Sequence, residues 1–134
     1  ADAWEAGHRM PFIARWPNEV RAGTTSKQLV CFTDLLATFA DITDAKLPSD
    51  AGPDSFSFLP ALTRKKPKAT SLRTQIAMRP GSAKIMTFRS GDWKLITGLG
   101  SGGFSKPKSA KAEAGAPKGQ LYNLANDLGE TTNL

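Results

Sequence analysis

Residues 84–97 read KIMTFRSGDWKLIT, two apolar-rich runs joined at Gly91-Asp92. Short runs rich in Ile, Phe, Thr and Trp, separated by a glycine-containing pair, read as a β-hairpin. A third run, RTQIAMR (73–79), precedes this hairpin across the turn signal Pro80-Gly81-Ser82, and a fourth, QLYNL (120–124), follows it. The links within 73–97 are too short for a crossover, so these strands must pair antiparallel. The C-terminal half is therefore expected to hold a small antiparallel sheet.

Between this hairpin and QLYNL lies GLGSGGFSKPKSAKAEAGAPKG (98–119), rich in Gly, Ser, Ala and Lys. That composition reads as a flexible loop without packed structure of its own. Its GLGSGG start is no phosphate cradle, because no Lys-Ser/Thr pair and no helix signal follow. On the other side, TRKKPKATSL (63–72) reads as an exposed basic loop, and the Asp, Ser, Gly and Pro of 48–60 as another, pinned by Phe56, Phe58 and Leu59.

Further upstream, Thr33 is a candidate N-cap with Asp34 in the first turn, where a negative charge suits the helix dipole. Leu35, Leu36, Phe39 and Ile42 follow at helical spacing, so the pattern predicts an amphipathic helix at about 33–43. The run PFIARW, bounded by Pro11 and Pro17, predicts a buried strand at about 10–16. Trp4, Phe12, Ile13, Trp16 and Trp93 read as core. The expected class is α+β, divided into residues 1–60, with one strand and one helix, and residues 61–134, with the sheet.

The chain has 134 residues, 40% of them hydrophobic, enough to bury about two-thirds of the unfolded surface. No run approaches the ~20 apolar residues of a membrane span. No signal peptide and no initiator methionine are present, so the chain reads as a piece of something longer. Cys31 is the sole cysteine, which leaves the redox compartment open, and it reads as a small buried residue beside the helix. The net charge is +6, and residues 61–118 carry 13 basic side chains against only Asp92 and Glu113. Nucleic-acid surfaces interleave aromatics with their cations, whereas Lys65, Lys66, Lys68, Lys106, Lys108 and Lys111 sit among Pro, Ala and Ser. These lysines read as solvated loop, although their field would favour a polyanionic substrate.

Three stretches, in order, resemble the C-terminal third of the type I, formylglycine-dependent sulfatases. WEAGHRMPFIARWP (4–17) resembles the family's aromatic-E-G-G-x-R-x-P segment and the strand that ends in W-P. FTDLLATFADI (32–42) is similar to its D-L-x-x-T helix. RSGDWKLI (89–96) and LYNLANDLGETTNL (121–134) are similar to its R-x-G-x-W-K-L strand and its L-Y-x-L-x-x-D-x-G-E-x-x-N-L ending. The resemblance spans nearly all of residues 4–134, and the GLGSGGF loop is similar to bacterial arylsulfatase-like members. Ala6 departs from the family's glycine and is expected to cost about 1 kcal/mol if that position needs a positive φ.

The resemblance implies that residues 1–60 end the large α/β domain of an alkaline phosphatase-like fold and that 61–134 form its small C-terminal subdomain. It implies a parent that hydrolyses sulfate esters, with this part closing one side of the pocket and inactive alone. The family's sulfate-contacting lysine would fall immediately before Ala1. The formylglycine, made from a C/S-x-P-x-R motif, and the calcium ligands would lie upstream; Cys31, in C-F-T-D-L, does not match that motif. No catalytic or metal-binding residue is therefore assigned here. Glu5, His8 and Arg9 are candidates for the pocket rim, with Glu5 and Arg9 also suited to holding the turn by an ion pair. The implied partners are the rest of the parent chain and a sulfated small molecule or polysaccharide, in a periplasmic or secreted setting. Two alternatives stay open: a basic polyanion-binding module, and a phosphate-ester hydrolase of the same superfamily.

Overall fold

A computed structural model describes residues 1–63, 72–81 and 84–134. The basic loop expected at 63–72 lies almost wholly outside the described residues. The chain divides into two compact units: residues 1–11 with 75–134, and residues 12–74. The first eleven residues thus belong to the unit that holds the sheet.

In the first unit, β1 (Gln75–Met78), β2 (Thr87–Ser90), β3 (Trp93–Ile96) and β4 (Gln120–Asn123) form one antiparallel meander in the order β1-β2-β3-β4. The expected sheet is present. Gly91 adopts φ +56° in the two-residue β2–β3 turn, a conformation that twists the strands correctly and suits glycine.

The faces of this sheet are inverted relative to the simple apolar-in pattern. Along β3, Lys94 and Ile96 are buried while Trp93 and Leu95 are about half exposed. Register places Ile76, Arg89, Lys94 and Tyr122 in one row across the sheet, and Ala77, Phe88, Leu95 and Leu121 in the row on the other face. The inner face packs Ile85, Ile96, Tyr122 and Leu124 around Ala3, with Trp4 against them. The alternation was legible; which face was the core was not, because the buried charges supply each other's partners.

In the second unit, α1 spans Asp34–Thr43 and α2 Leu59–Thr63. The helix at 33–43 is as expected, but its capping differs. Thr33 already has helical backbone (φ −60°, ψ −25°) and makes no side-chain cap bond. Asp34 does that work, its Oδ2 accepting the Cys31 amide at 2.9 Å. α1 ends at Asp44, left-handed at φ 53°. Thr38 is fully buried; its hydroxyl donates to the Asp34 carbonyl at 2.7 Å and accepts the Phe58 amide at 3.1 Å. The short α2 was not anticipated.

The strand expected at 10–16 is not present. A strand exists only through ladder pairing, and no described segment pairs with these residues. Phe12 and Ile13 are 46% and 90% exposed, so neither is core, although the Phe12 ring meets Phe58 edge-on at 5.6 Å. Trp93, also expected inside, is half exposed. On α1, Leu36 and Phe39 are likewise exposed, while Leu35 and Ile42 are half buried.

The stretch 98–119 is better built than its composition suggested. Leu99 and Ala110 form an antiparallel bridge, and Gly100, Ser101 and Gly102 are buried. Backbone bonds from Ser101 N to Pro107 O and from Gly102 N to Lys108 O, both 2.9 Å, close the loop on itself. Backbone–backbone pairing needs no distinctive side chains, so composition could not announce it.

Candidate functional site

Among the charged residues at the start of the chain, Glu5 enters a buried ion cluster, with Arg9 at its edge. Glu5 begins a single 3₁₀ turn, Glu5–Gly7, closed by His8 N donating to Glu5 O at 2.9 Å. Gly7 is required there: a Cβ on it would lie 2.5 Å from the Asp2 carbonyl oxygen and 2.7 Å from its nitrogen. Ala6 is exposed and is not among the residues of positive φ, so the departure from glycine carries no strain.

Lys94 is completely buried, and its Nζ lies 3.3 Å from Glu5 Oε1 and 2.8 Å from Glu130 Oε1. Glu130 is itself buried and accepts the Glu5 backbone amide on Oε2. Glu5 Oε2 receives Arg9, with Nη2 at 2.8 Å and Nε at 3.1 Å, and Arg89 Nη1 at 3.3 Å. Two carboxylates and three cations thus neutralise one another to within one charge. A lysine is almost never fully buried unless paired in this way.

Glu130 reaches the cluster because of the turn that carries it. Asp127 Oδ1 accepts the Thr131 amide and hydroxyl, both at 3.0 Å, and Oδ2 accepts the Thr132 amide at 2.9 Å. Three donors hold the Asp127 carboxyl below its ordinary value, the two backbone amides foremost. This Asx-type turn leaves Glu130 at φ +54°. Asn133 then pins the tail to β4, accepting the Leu121 amide at 2.8 Å and donating to Gly119 O at 3.2 Å.

His8 sits beside the cluster, half buried, and its Nε2 is buried without a hydrogen-bond partner. Burial pushes its pKa below 6.5, with the Lys94 charge adding to that and Glu5 opposing it. The side chain is therefore held as neutral imidazole. Gln120, buried, is a second polar hub: its Oε1 accepts Trp4 Nε1 at 3.0 Å and Tyr122 OH at 2.8 Å, while Nε2 donates to Gly98 O and Gly100 O.

Of the three rim candidates, then, the structure brings Glu5 and Arg9 together and sets His8 next to them. The sequence reading missed Lys94, Arg89 and Glu130, whose only signal was a charge at an inward strand position and an acid in a glycine turn.

In the second unit Asp34, fully buried, plays the corresponding part. It takes Arg73 through Nη2 at 2.7 Å and Nε at 3.0 Å, and accepts the Phe56 amide at 3.1 Å. Burial alone would raise its pKa; the Arg73 hydrogen bonds and the two backbone amides prevail and hold it below its usual value. Arg73 also lies over the Phe56 ring at 4.8 Å.

These two clusters join residues that are distant in sequence but belong to the matched stretches: E-A-G-H-R, R-S-G-D-W-K and D-L-G-E meet at Lys94, and D-L-L-A-T folds its loop around Asp34 and Thr38. No family model matches the chain. Individual relatives do. An ulvan-active sulfatase of Formosa agariphila is 32% identical over 97% of this chain and 29% of its own length. An N-acetylgalactosamine-6-O-sulfatase of Bacteroides thetaiotaomicron is 33% identical over 98% of this chain and 25% of its own. The chain belongs to the sulfatases. A solved Bacteroides thetaiotaomicron chain, determined in the context of the metabolism of multiple glycosaminoglycans, superposes with a TM-score of 0.72 at 31% identity, covering 98% of this chain and 26% of that one. This sulfatase chain therefore spans about a quarter of the length of the relatives it matches, in their C-terminal part.

The family's calcium and formylglycine do not fit these residues. Among the described residues no three His, Cys, Asp or Glu side chains gather in a metal site. The buried carboxylates of Glu5, Asp34 and Glu130 are already engaged by cations. Cys31 lies against the Thr33 hydroxyl, in a sequence that lacks the proline and arginine of the formylglycine motif.

Proposed function

We propose that this chain is the C-terminal part of an enzyme that hydrolyses sulfate esters, and that its task is to build and brace one wall of the pocket. The observation that supports this most is 32–33% identity to two sulfatases over nearly its whole length. Lys94 clasps the Glu5–Gly7 turn to the sheet and so fixes the segment that is proposed to carry the pocket rim. Glu5 and Arg9 are assigned to positioning rather than contact, and neutral His8 to the pocket rim as a hydrogen-bonding group. The substrate class is a sulfated sugar, by analogy with relatives named for ulvan and N-acetylgalactosamine-6-sulfate. Calcium and formylglycine are proposed for the remainder of the protein, and an exported location follows from the family alone.

The test is hydrolysis of 4-nitrophenyl sulfate by the full-length protein and by this chain alone. The full-length protein is expected to release 4-nitrophenol, and the isolated chain none. Release that scales with the concentration of pure isolated chain would overturn the assignment.

A further inference from the structure

The cations of the two ion clusters are engaged within the fold: Arg9, Arg89 and Lys94 on Glu5 and Glu130, and Arg73 on Asp34. Those of residues 98–119 are not. Lys106, Lys108, Lys111 and Lys118 are all exposed, and among the described residues none of them forms an ion pair. Glu113 is the one acid in this stretch.

On a flexible tether four cations would hold no fixed spacing. Here each of them is tied through the backbone to one spine, residues 97–102. Ser101 N donates to the carbonyl of Pro107, which stands between Lys106 and Lys108, and Gly102 N donates to the carbonyl of Lys108 itself. Ala110 bridges Leu99, which sets its neighbour Lys111 beside the same spine. On the other side Gln120 pairs with Ile96 and donates through Nε2 to Gly98 O at 2.7 Å, which brings Lys118, two residues earlier, to the start of the spine. The tip of the loop is pinned as well. Buried Ser101 donates to Ser105 O at 2.6 Å, and the Asp2 carboxylate accepts the Phe104 and Ser105 amides and the Ser105 hydroxyl. Asp2, the acid that reaches this loop from outside it, is thus taken up by those donors.

Six residues of extended chain cover at most about 20 Å. The four lysine positions therefore lie within a few Debye lengths of one another, each about 8 Å at physiological ionic strength. Like charges gathered in this way repel, so the array does nothing for the fold that carries it. Its natural counterpart is a polymer with repeated negative charges, which releases counterions at every pairing and meets a backbone already ordered. Nucleic acids and anionic membranes carry the same sign. A single-stranded nucleic acid calls for aromatic platforms between the cations, and a membrane surface for apolar side chains beside them. Between Lys106 and Lys118 stand only Pro, Ser, Ala, Gly, Glu113 and the two other lysines.

We infer that the lysine-bearing loop 98–119 is a docking surface for an anionic polysaccharide, which it holds as a stretch of polymer by charge rather than by reading a single sugar. The choice of polymer rests on the proposed sulfatase function; the presence of the charged surface does not.

The test measures binding of the full-length protein to long heparin chains, a heparin disaccharide, single-stranded DNA and phosphatidylserine vesicles, over a range of salt. Long heparin is expected to bind tightest, at least about tenfold tighter than the disaccharide at low salt, and with a steep salt dependence. Changing all four lysines to glutamine is expected to weaken heparin binding at least about tenfold and to flatten that dependence, because each neutralised charge contributes about 0.7 to the slope on a single chain. Changing all four to arginine is expected to retain the binding. The pairs Lys106→Gln with Lys108→Gln and Lys111→Gln with Lys118→Gln are each expected to give part of the loss. Lys27→Gln with Lys46→Gln, exposed lysines of the other unit, controls for general charge. Melting temperatures control for folding. Heparin binding unaltered in the quadruple glutamine variant, equal loss in the Lys27 and Lys46 control, tighter binding of DNA or vesicles than of heparin at the same salt, or a disaccharide held as tightly as the polymer would each overturn the surface. Turnover of 4-nitrophenyl sulfate is read on the same samples and is expected to be unchanged in the quadruple variant. A wild type that binds heparin through these lysines and hydrolyses no sulfate ester would remove the sulfatase reading and leave the surface standing as a polyanion site.

Discussion

Each compact unit is organised around a buried ion cluster, and the two are built differently. In the sheet unit, one enclosed lysine is shared by two glutamates whose other oxygens take further cations and a backbone amide. In the helical unit, a single aspartate is saturated by one arginine fork and two backbone amides. The first arrangement ties together three segments from the beginning, middle and end of the sequence. The second ties a helix start to the loop that follows it and to Arg73. Lys94 has no route to water, whereas Arg73 keeps an additional carbonyl and a ring face if its carboxylate is lost. The lesson is that the cost of breaking a buried pair depends on what the survivor can still reach.

That comparison can be broken most directly at Lys94. Lys94→Met removes the shared cation and leaves Glu5 and Glu130 facing each other in the interior. Urea unfolding of the full-length protein is expected to show a loss of about 3–5 kcal/mol for the transition that includes the sheet unit. Asp34→Asn, which keeps the shape and part of the hydrogen bonding, is expected to cost less, about 2–3 kcal/mol. If Asp34→Asn proved the more damaging, the contrast between the clusters would fall.

A smaller effect sharpens the picture at the edge of the first cluster. Arg9 is half exposed and pairs with Glu5 four residues before it. Arg9→Ala is expected to cost only about 0.5–1 kcal/mol and to depend on salt, whereas Lys94→Met should be nearly salt-independent.

How far this arrangement could be read from the sequence varies with the element. The four strands were legible because apolar alternation and Gly91-Asp92 are local signals. The helix was legible from its spacing, and so were Glu5 and Arg9 as an ion pair. The strand at 10–16 was misread because a strand is defined by its neighbours, and no described segment pairs with it. Lys94 was invisible for a related reason. A lysine between Trp93 and Leu95 looks like the solvent side of a strand, and it takes Glu5 and Glu130, both far off in sequence, to make it the inner side. Asp34 looked like a dipole partner for α1 until Arg73 and Phe56 came into contact with it.

The smallest predicted effect concerns pH. The folded state holds His8 at a pKa below 6.5, so the unfolded chain binds more protons as the pH falls through 6.5. Stability therefore declines below about pH 6.5 and continues to fall until the lowered folded pKa is passed. His8→Asn should flatten that slope. The Asp34 contribution behaves separately: its lowered pKa gives stability that is present above the ordinary aspartate value and lost only as the pH falls through the folded one. A denaturation series from pH 8 to pH 3 on wild type and both variants separates the two.

The measurement closest to the central claim sets 4-nitrophenyl sulfate beside 4-nitrophenyl phosphate as substrates of the purified full-length protein. The account predicts hydrolysis of the sulfate ester, strongly preferred over the phosphate and weakened in Lys94→Met variants that still fold. Turnover of the phosphate ester alone, or of neither ester, would contradict it.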